Sequence, residues 1–330
     1  MKEISGKLTA VLAAALMTVP AGAEPLKKLT IAEPVHLTGY LPLYVAVHEG
    51  YFADEGLDVE VVLATGGTHV TSVVSGDAWG VIGGVDSNAL SNRNNRDPIT
   101  AICNCVNRAN VYLFAAKGQT PADNSPETLK EYFRGKTIVA GRHGGSPNLL
   151  TRYLLLTLGL DPEKDVILEE NADAAVVNVM LQNGQGQIGN GTEPQISEGI
   201  ASGLWEEPFY QFTDLGDFSY SVIGTRRSTI EKDPETCRKV VRAMVKALEL
   251  VQRDHAEAER ILRLEFPTLT DAGITAAMKR AYEDDLWSPD GWISQQAVDL
   301  DMAVLKASGL YEGEYDYNTL VDMTFLKELQ

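Results

Sequence analysis

The sequence predicts an α/β protein built as two similar lobes around a cleft. Two observations carry this reading. The beginning and the middle of the chain share one order of elements, and each copy sets a Gly-containing loop between a strand and a helix. Residues 29–91 read as strand, loop, helix, strand, helix, strand and polar turn, and 136–199 repeat that order. Strand 29–33 corresponds to 136–141, loop 35–39 to 142–146, helix 40–49 to 148–158, and strand 57–63 to 165–169. The second helix ends in Ser75-Gly76 in one copy and Asn183-Gly184 in the other, and short strands 79–83 and 187–190 follow. Open α/β sheets take ligands beyond the C-terminal ends of their strands. Two such units therefore enclose a small molecule between them.

The elements follow in chain order. Met1-Lys2-Glu3 and Lys7 precede an apolar run over 8–19 and the small-x-small site Ala21-Gly22-Ala23. This pattern predicts a cleaved export signal over 1–23 and a mature chain from Glu24. The run falls short of the ~20 apolar residues that span a bilayer; a buried helix or a membrane anchor is the alternative. No Cys stands at the junction, which argues against a lipid anchor. In 57–63, Val59, Val61 and Leu63 alternate with Asp58 and Glu60, a strand with one packed face. Strands over 99–105 and 111–116 and a polar loop over 117–126 lie between the repeats. Gly144-Gly145-Ser146 opens a helix with Leu149, Leu150 and Leu154, which Gly159 stops. Asp173 is placed to cap the next helix.

The expected lobe 1 is 24–113 with 222–330, and lobe 2 is 114–221. The second crossing is expected near 220–224, which makes a two-segment hinge. Asp233, Pro234 and Glu235 form a helix start, and Cys237, Val240, Val241, Met244, Leu248 and Val251 recur at helical spacing behind them. Helices over 271–284, 294–308 and 317–329 are expected to return to lobe 1 and buttress its outside.

Net charge is −18, which argues against nucleic acid as a partner. Acidity of the whole chain says nothing about the sign of a ligand. The three cysteines are Cys103, Cys105 and Cys237. They read as free thiols, with a strained Cys103–Cys105 bridge as the alternative. The five histidines show no metal-binding spacing, so no metal, cofactor or catalytic residue is assigned.

Tyr40-Leu41-Pro42-Leu43-Tyr44-Val45-Ala46, followed by Glu49-Gly50-Tyr51-Phe52-Ala53-Asp54-Glu55-Gly56-Leu57-Asp58-Val59, resembles a family pattern. The pattern is that of the ABC-importer substrate-binding proteins of the nitrate/sulfonate/taurine and thiamine-precursor superfamily (NMT1/THI5-like, SsuA/TauA-like). Phe133-Arg134-Gly135-Lys136-Thr137-Ile138, Asp233-Pro234-Glu235 and Leu320-Val321-Asp322-Met323-Thr324-Phe325-Leu326 match in the same order. The resemblance implies a type II periplasmic-binding-protein fold, a periplasmic location and delivery of a small organic ligand to an ABC transporter permease by a monomer. Trp79 and Gln187 stand where the family often carries an acid.

Candidate ligand-binding residues follow the strands. In lobe 1 they are Gly39, Tyr40 and Tyr44, then Gly67 and Thr68, then Asp86, Ser87 and Asn88. In lobe 2 they are Arg142, Gly144, Gly145 and Ser146, then Asn190, Thr192 and Glu193. Backbone N–H groups at a helix start suit a carboxylate or sulfonate. If Asp86 and Glu193 both face the cleft, an aminopyrimidine-like ligand fits instead, with Tyr40, Tyr44 or Trp205 stacking on its ring. Arg108, Arg142 or His143 would serve an anion. An enzyme on the same fold, acting on a pyrimidine or acidic metabolite, and a ligand-presenting sensor subunit remain the alternative functions.

Overall fold

A computed structural model describes residues 25–170 and 176–329. The expected export signal, Glu24 and Asp173 lie outside the described residues. The chain begins lobe 1 with β1 (Lys27–Glu33), α1 (Leu41–His48), α2 (Tyr51–Asp54), β2 (Leu57–Leu63), α3 (Thr68–Ser75), β3 (Gly80–Gly83), α4 (Val85–Asn92) and β4 (Ile99–Arg108). Lobe 2 holds β5 (Tyr112–Ala115), α5 (Pro126–Phe133), β6 (Thr137–Val139), α6 (Ser146–Thr157), β7 (Ile167–Glu169), α7 (Val176–Gln182), β8 (Ile188–Gly191), α8 (Gln195–Ala201) and β9 (Tyr210–Gln211). β10 (Asp217–Arg226) re-enters lobe 1. There follow α9 (Arg227–Lys232), α10 (Pro234–Arg253), α11 (His255–Glu265), α12 (Asp271–Glu283), α13 (Gln295–Ala307), α14 (Tyr317–Leu320) and α15 (Thr324–Lys327).

Each lobe is a five-stranded mixed sheet, ordered β2-β1-β3-β10-β4 and β7-β6-β8-β5-β9. The three parallel strands of each sheet are the repeat seen in the sequence. β1 runs beside β2 from Lys27↔Leu57 to Glu33↔Leu63, and β6 beside β7 from Thr137↔Ile167 to Val139↔Glu169. The fourth strand of each sheet is antiparallel: β10 beside β3, β5 beside β8. The two crossings touch each other, because Phe212 N–H donates to the Val111 carbonyl at 2.9 Å.

The crossings lie earlier than expected. β5 already belongs to the second sheet at Tyr112, and β10 belongs to the first from Asp217, so Tyr220–Gly224 is interior strand and not hinge. The run pairs with β3 on one side and β4 on the other, which explains its burial. The helix expected over 317–329 is interrupted. Val321 bridges Ala101 in parallel, and Asp322 N–H donates to the Ala101 carbonyl at 2.8 Å. That pairing breaks the segment into α14 and α15. α12 and α13 do more than buttress lobe 1, since they also pack on α8 and α6 of lobe 2.

Asp233 caps α10 through Thr236 N–H, and Pro234 follows it. The stripe Val240, Met244, Leu248 and Val251 is fully buried. Burial of such side chains stabilises by about 1.5–3 kcal/mol each. Tyr112, Phe114, Val177, Leu181, Ile196 and Trp205 form a separate core in lobe 2. Cys103, Cys105 and Cys237 are buried free thiols, and burial raises each above the usual thiol range.

Candidate ligand-binding site

A cavity of about 450 Å³ opens between the lobes at the C-terminal ends of the parallel strands. Lobe 1 lines it with the loops after β1, β2 and β3; lobe 2 lines it with the loops after β6 and β8. Strand ends leave backbone groups and turn residues free, which is why these loops carry the site.

Eight of the residues expected from the sequence meet there: Tyr40, Gly67, Ser87, Arg142, Gly145, Ser146, Asn190 and Thr192. The other seven do not line the cavity. Gly39 gives its carbonyl to the Trp287 indole at 2.9 Å. Tyr44 is buried beneath and donates to Glu33 Oε2 at 2.6 Å. Thr68 begins α3, Asn88 is buried beside Gly224, and Gly144 packs on Leu310. Asp86 sits behind the wall and Glu193 lies outside it.

Asp86 is 1% exposed. Its Oδ1 accepts from Ser87 N–H at 2.5 Å and its Oδ2 from the Ser146 hydroxyl at 2.7 Å. Its own N–H donates to Asp301 Oδ2 at 3.3 Å, and Ser219 Oγ donates to that same oxygen at 2.8 Å. Burial raises the Asp86 carboxyl, and burial followed by the Asp86 charge raises Asp301 well above the usual carboxylate range. Glu193 instead accepts from Ser197 N–H and Oγ and from Arg280 Nε at 2.9 Å. It closes the start of α8 and ties it to α12, so the two acids do not face each other across a ligand.

The remaining sequence candidates are also accounted for. Trp205 packs on Phe114 at 4.8 Å between centroids and donates to the Ile196 carbonyl, so it stacks on no ligand in the cavity. Arg108 pairs with Asp217 at 2.5 Å, and His143 meets Glu170 at 3.1 Å on the surface.

What faces the cavity is mostly neutral or basic. Among the described residues Arg142 forms no ion pair; its Nη1 donates to the His143 carbonyl at 3.1 Å. His36 lines the lobe 1 side, with Nδ1 2.8 Å from Glu33 Oε1 and its ring stacked on Phe266 at 4.4 Å. The hydrogen bond to Glu33 raises its pKa above the ordinary imidazole value, against an opposing effect of burial. Burial, aided by the Arg142 charge, lowers His69 to about 4, so it is neutral at physiological pH. Among the described residues no Asp or Glu lines the cavity.

The helix starts differ in what they offer. The second and third N–H groups of α4, those of Asp86 and Ser87, are used by Asp301 and Asp86. α6 begins at Ser146 with no side-chain cap, and Pro147 removes one donor at its second position. An uncapped helix start favours negative charge by ~0.3–1 kcal/mol at an exposed site. Thr65, Gln195, Tyr220 and Ser221 line the cavity without having been singled out. Thr65 precedes Gly66-Gly67 and could have been read from that turn. Tyr220 and Ser221 lie inside a strand, where alternation alone does not mark a ligand face.

Beyond the geometry, the NMT1/THI5-like family model matches residues 38–258. The chain belongs to this family. Its relative YtlA of Bacillus subtilis strain 168, a putative binding protein, is 27% identical over 302 residues, covering 91% of this chain and 89% of that one. The alkanesulfonate-binding protein SsuA of Xanthomonas axonopodis pv. citri, solved with MOPS, superposes with a TM-score of 0.73 at 15% identity, over 92% of this chain and 100% of that one. The nitrate-binding protein NrtA of Synechocystis PCC 6803 gives 0.71 at 18% identity, over 92% and 88%. These likenesses show the type II periplasmic-binding-protein fold. The family match and the relative's description as a binding protein fit a solute-binding role.

Proposed function

We propose that the protein captures a small organic anion, a carboxylate or sulfonate with an apolar body, and delivers it to an ABC-type permease. The observation that carries this reading is Arg142 at the cavity wall, without an ion-pair partner among the described residues, beside the uncapped start of α6 and with no described carboxylate lining the space. Arginine holds carboxylates and sulfonates through paired N–H donors. Pro34, Val35, Leu37, Leu63 and Val177 supply apolar surface for the rest of the molecule. The cationic aminopyrimidine reading loses its main support because Glu193 is engaged with Arg280. Capture follows from closure: a ligand that touches both lobes shifts the population toward the closed form.

A thermal-shift panel of aromatic carboxylates, alkylsulfonates, aminopyrimidines and polyamines tests the proposal. An anion at 100 times its dissociation constant should stabilise the protein by ~2.7 kcal/mol. Stabilisation by aminopyrimidines or polyamines alone would overturn it.

A further inference from the structure

Asn190 stands near the end of β8, is 2% exposed, and lines the cavity. Its side-chain nitrogen is fully used. Nδ2 donates to the Ala140 carbonyl at 2.8 Å, the Pro147 carbonyl at 3.0 Å and Thr151 Oγ1 at 3.0 Å. Thr151 donates its own proton to the Pro147 carbonyl at 3.0 Å, so toward Asn190 it is an acceptor. Three acceptors thus surround this one nitrogen. Turning the amide over would set its oxygen against two carbonyls and a hydroxyl whose proton is committed elsewhere, which fixes the orientation.

The amide oxygen is the opposite case. Oδ1 has no hydrogen-bond partner among the described residues, and it is not one of the sealed, unsatisfied polar atoms. It lies 3.6 Å from the place where a Cβ on Gly141 would stand. Gly141 lines the cavity too, with a φ of +72°, and Arg142 follows it in the chain. Glycine at 141 thereby adds no side chain of its own beside Oδ1.

We infer that Asn190 Oδ1 is a rigid acceptor that selects ligands bearing an N–H or O–H donor in addition to the anionic group. The ligand class narrows to small amino- or hydroxy-substituted carboxylates and sulfonates. The inference rests on the anion reading above for the acidic group, whereas the donor requirement stands on Asn190 alone. A site built around a fixed acceptor discriminates strongly, because an analogue without the donor leaves the oxygen dehydrated and unpaired. Thr151 is a positioning residue: it holds the amide and does not line the cavity.

The test is isothermal titration calorimetry on protein refolded free of co-purified ligand. The probes are matched pairs, 4-hydroxybenzoate and 4-aminobenzoate against benzoate, and isethionate against 1-propanesulfonate, with neutral 4-hydroxybenzamide as a control. Donor-bearing anions are expected to bind at least about tenfold more tightly than their partners. Asn190→Leu should bring that ratio to about one. Thr151→Val keeps the acceptor but loosens it, and should shrink the ratio while leaving benzoate and 1-propanesulfonate affinities unchanged. Equal affinity within both pairs on the unmodified protein overturns the inference and leaves the anion reading standing. Binding of 4-hydroxybenzamide without any anion overturns the anion reading and supports the role of Asn190. No binding by any probe overturns both.

Discussion

Ser146 and Asp86 belong to different lobes, and the hydroxyl of the first donates to Oδ2 of the second at 2.7 Å. The bond closes the cavity from behind the ligand space. Removing it with Ser146→Ala should weaken the closed form by about 1.5–3 kcal/mol, the usual range for a hydrogen bond to a charged group. The radius of gyration in solution scattering should rise, and ligand affinity should fall by roughly tenfold or more. An unchanged radius and affinity would show that the bond carries no closure energy.

Asp301 should make stability depend on pH. Its folded pKa is raised, so the penalty for burying its charge is absent below the unfolded value and grows as pH rises toward the folded one. Asp301→Asn removes that charge and keeps an acceptor for Ser219 and Asp86. The variant should melt higher than the parent at pH 7, and the gap should narrow on acidification. Parallel melting curves from pH 7 down to pH 4 with a constant gap would refute this.

His36 titrates in the other direction. Its raised pKa means that its bond to Glu33 contributes fully below the unfolded value and is lost as pH rises through the folded one. Its imidazolium also faces the cavity with Arg142, so anion affinity should fall across the same interval. An NMR titration of the ring protons, run beside binding measurements, checks both. A binding curve that ignores the His36 midpoint would sever the link.

Arg142→Gln separates binding from folding. With no ion pair to lose among the described residues, stability should stay within about ±0.5 kcal/mol. Affinity for an anionic ligand should drop by about 1.5–3 kcal/mol, seen by calorimetry. A large fall in melting temperature would instead show a structural role.

Gly199→Ala tests packing in lobe 2. A Cβ at this position would stand 1.6 Å from Trp205 Cζ2, and that ring is held by its bond to the Ile196 carbonyl. Overpacking of this kind costs about 1–3 kcal/mol. Thermal denaturation should show the loss, and an unaffected midpoint would mean the ring moves freely.

The repeat made the fold legible, because two parallel units with Gly loops at matching places leave few ways to arrange the strands. The candidates that reached the cavity sit at or beside those loops: Ser146 opens α6 and Asn190 stands near the end of β8. Glu193 was misplaced because its partner, Arg280, is 87 positions away and no local pattern announces it. The crossings were set too late because Tyr220–Gly224 shows the apolar run of a central strand, whereas the true passage at 212–216 is a short turn with little signature. Tyr220 and Ser221 stayed hidden for the same reason.

The exchange of antiparallel strands orders the assembly of the molecule in time. Lobe 2 draws its whole sheet from one uninterrupted stretch, so it can close as soon as that stretch exists. Lobe 1 cannot: β3 needs β10, and Val222 meets Gly83 across roughly 140 positions of intervening chain, a long loop to close. Until β10 arrives, β3 and β4 present bare edges. A chain truncated before 217 would therefore hold one finished half and one half exposed to mispairing, whichever ligand the finished protein is meant to carry.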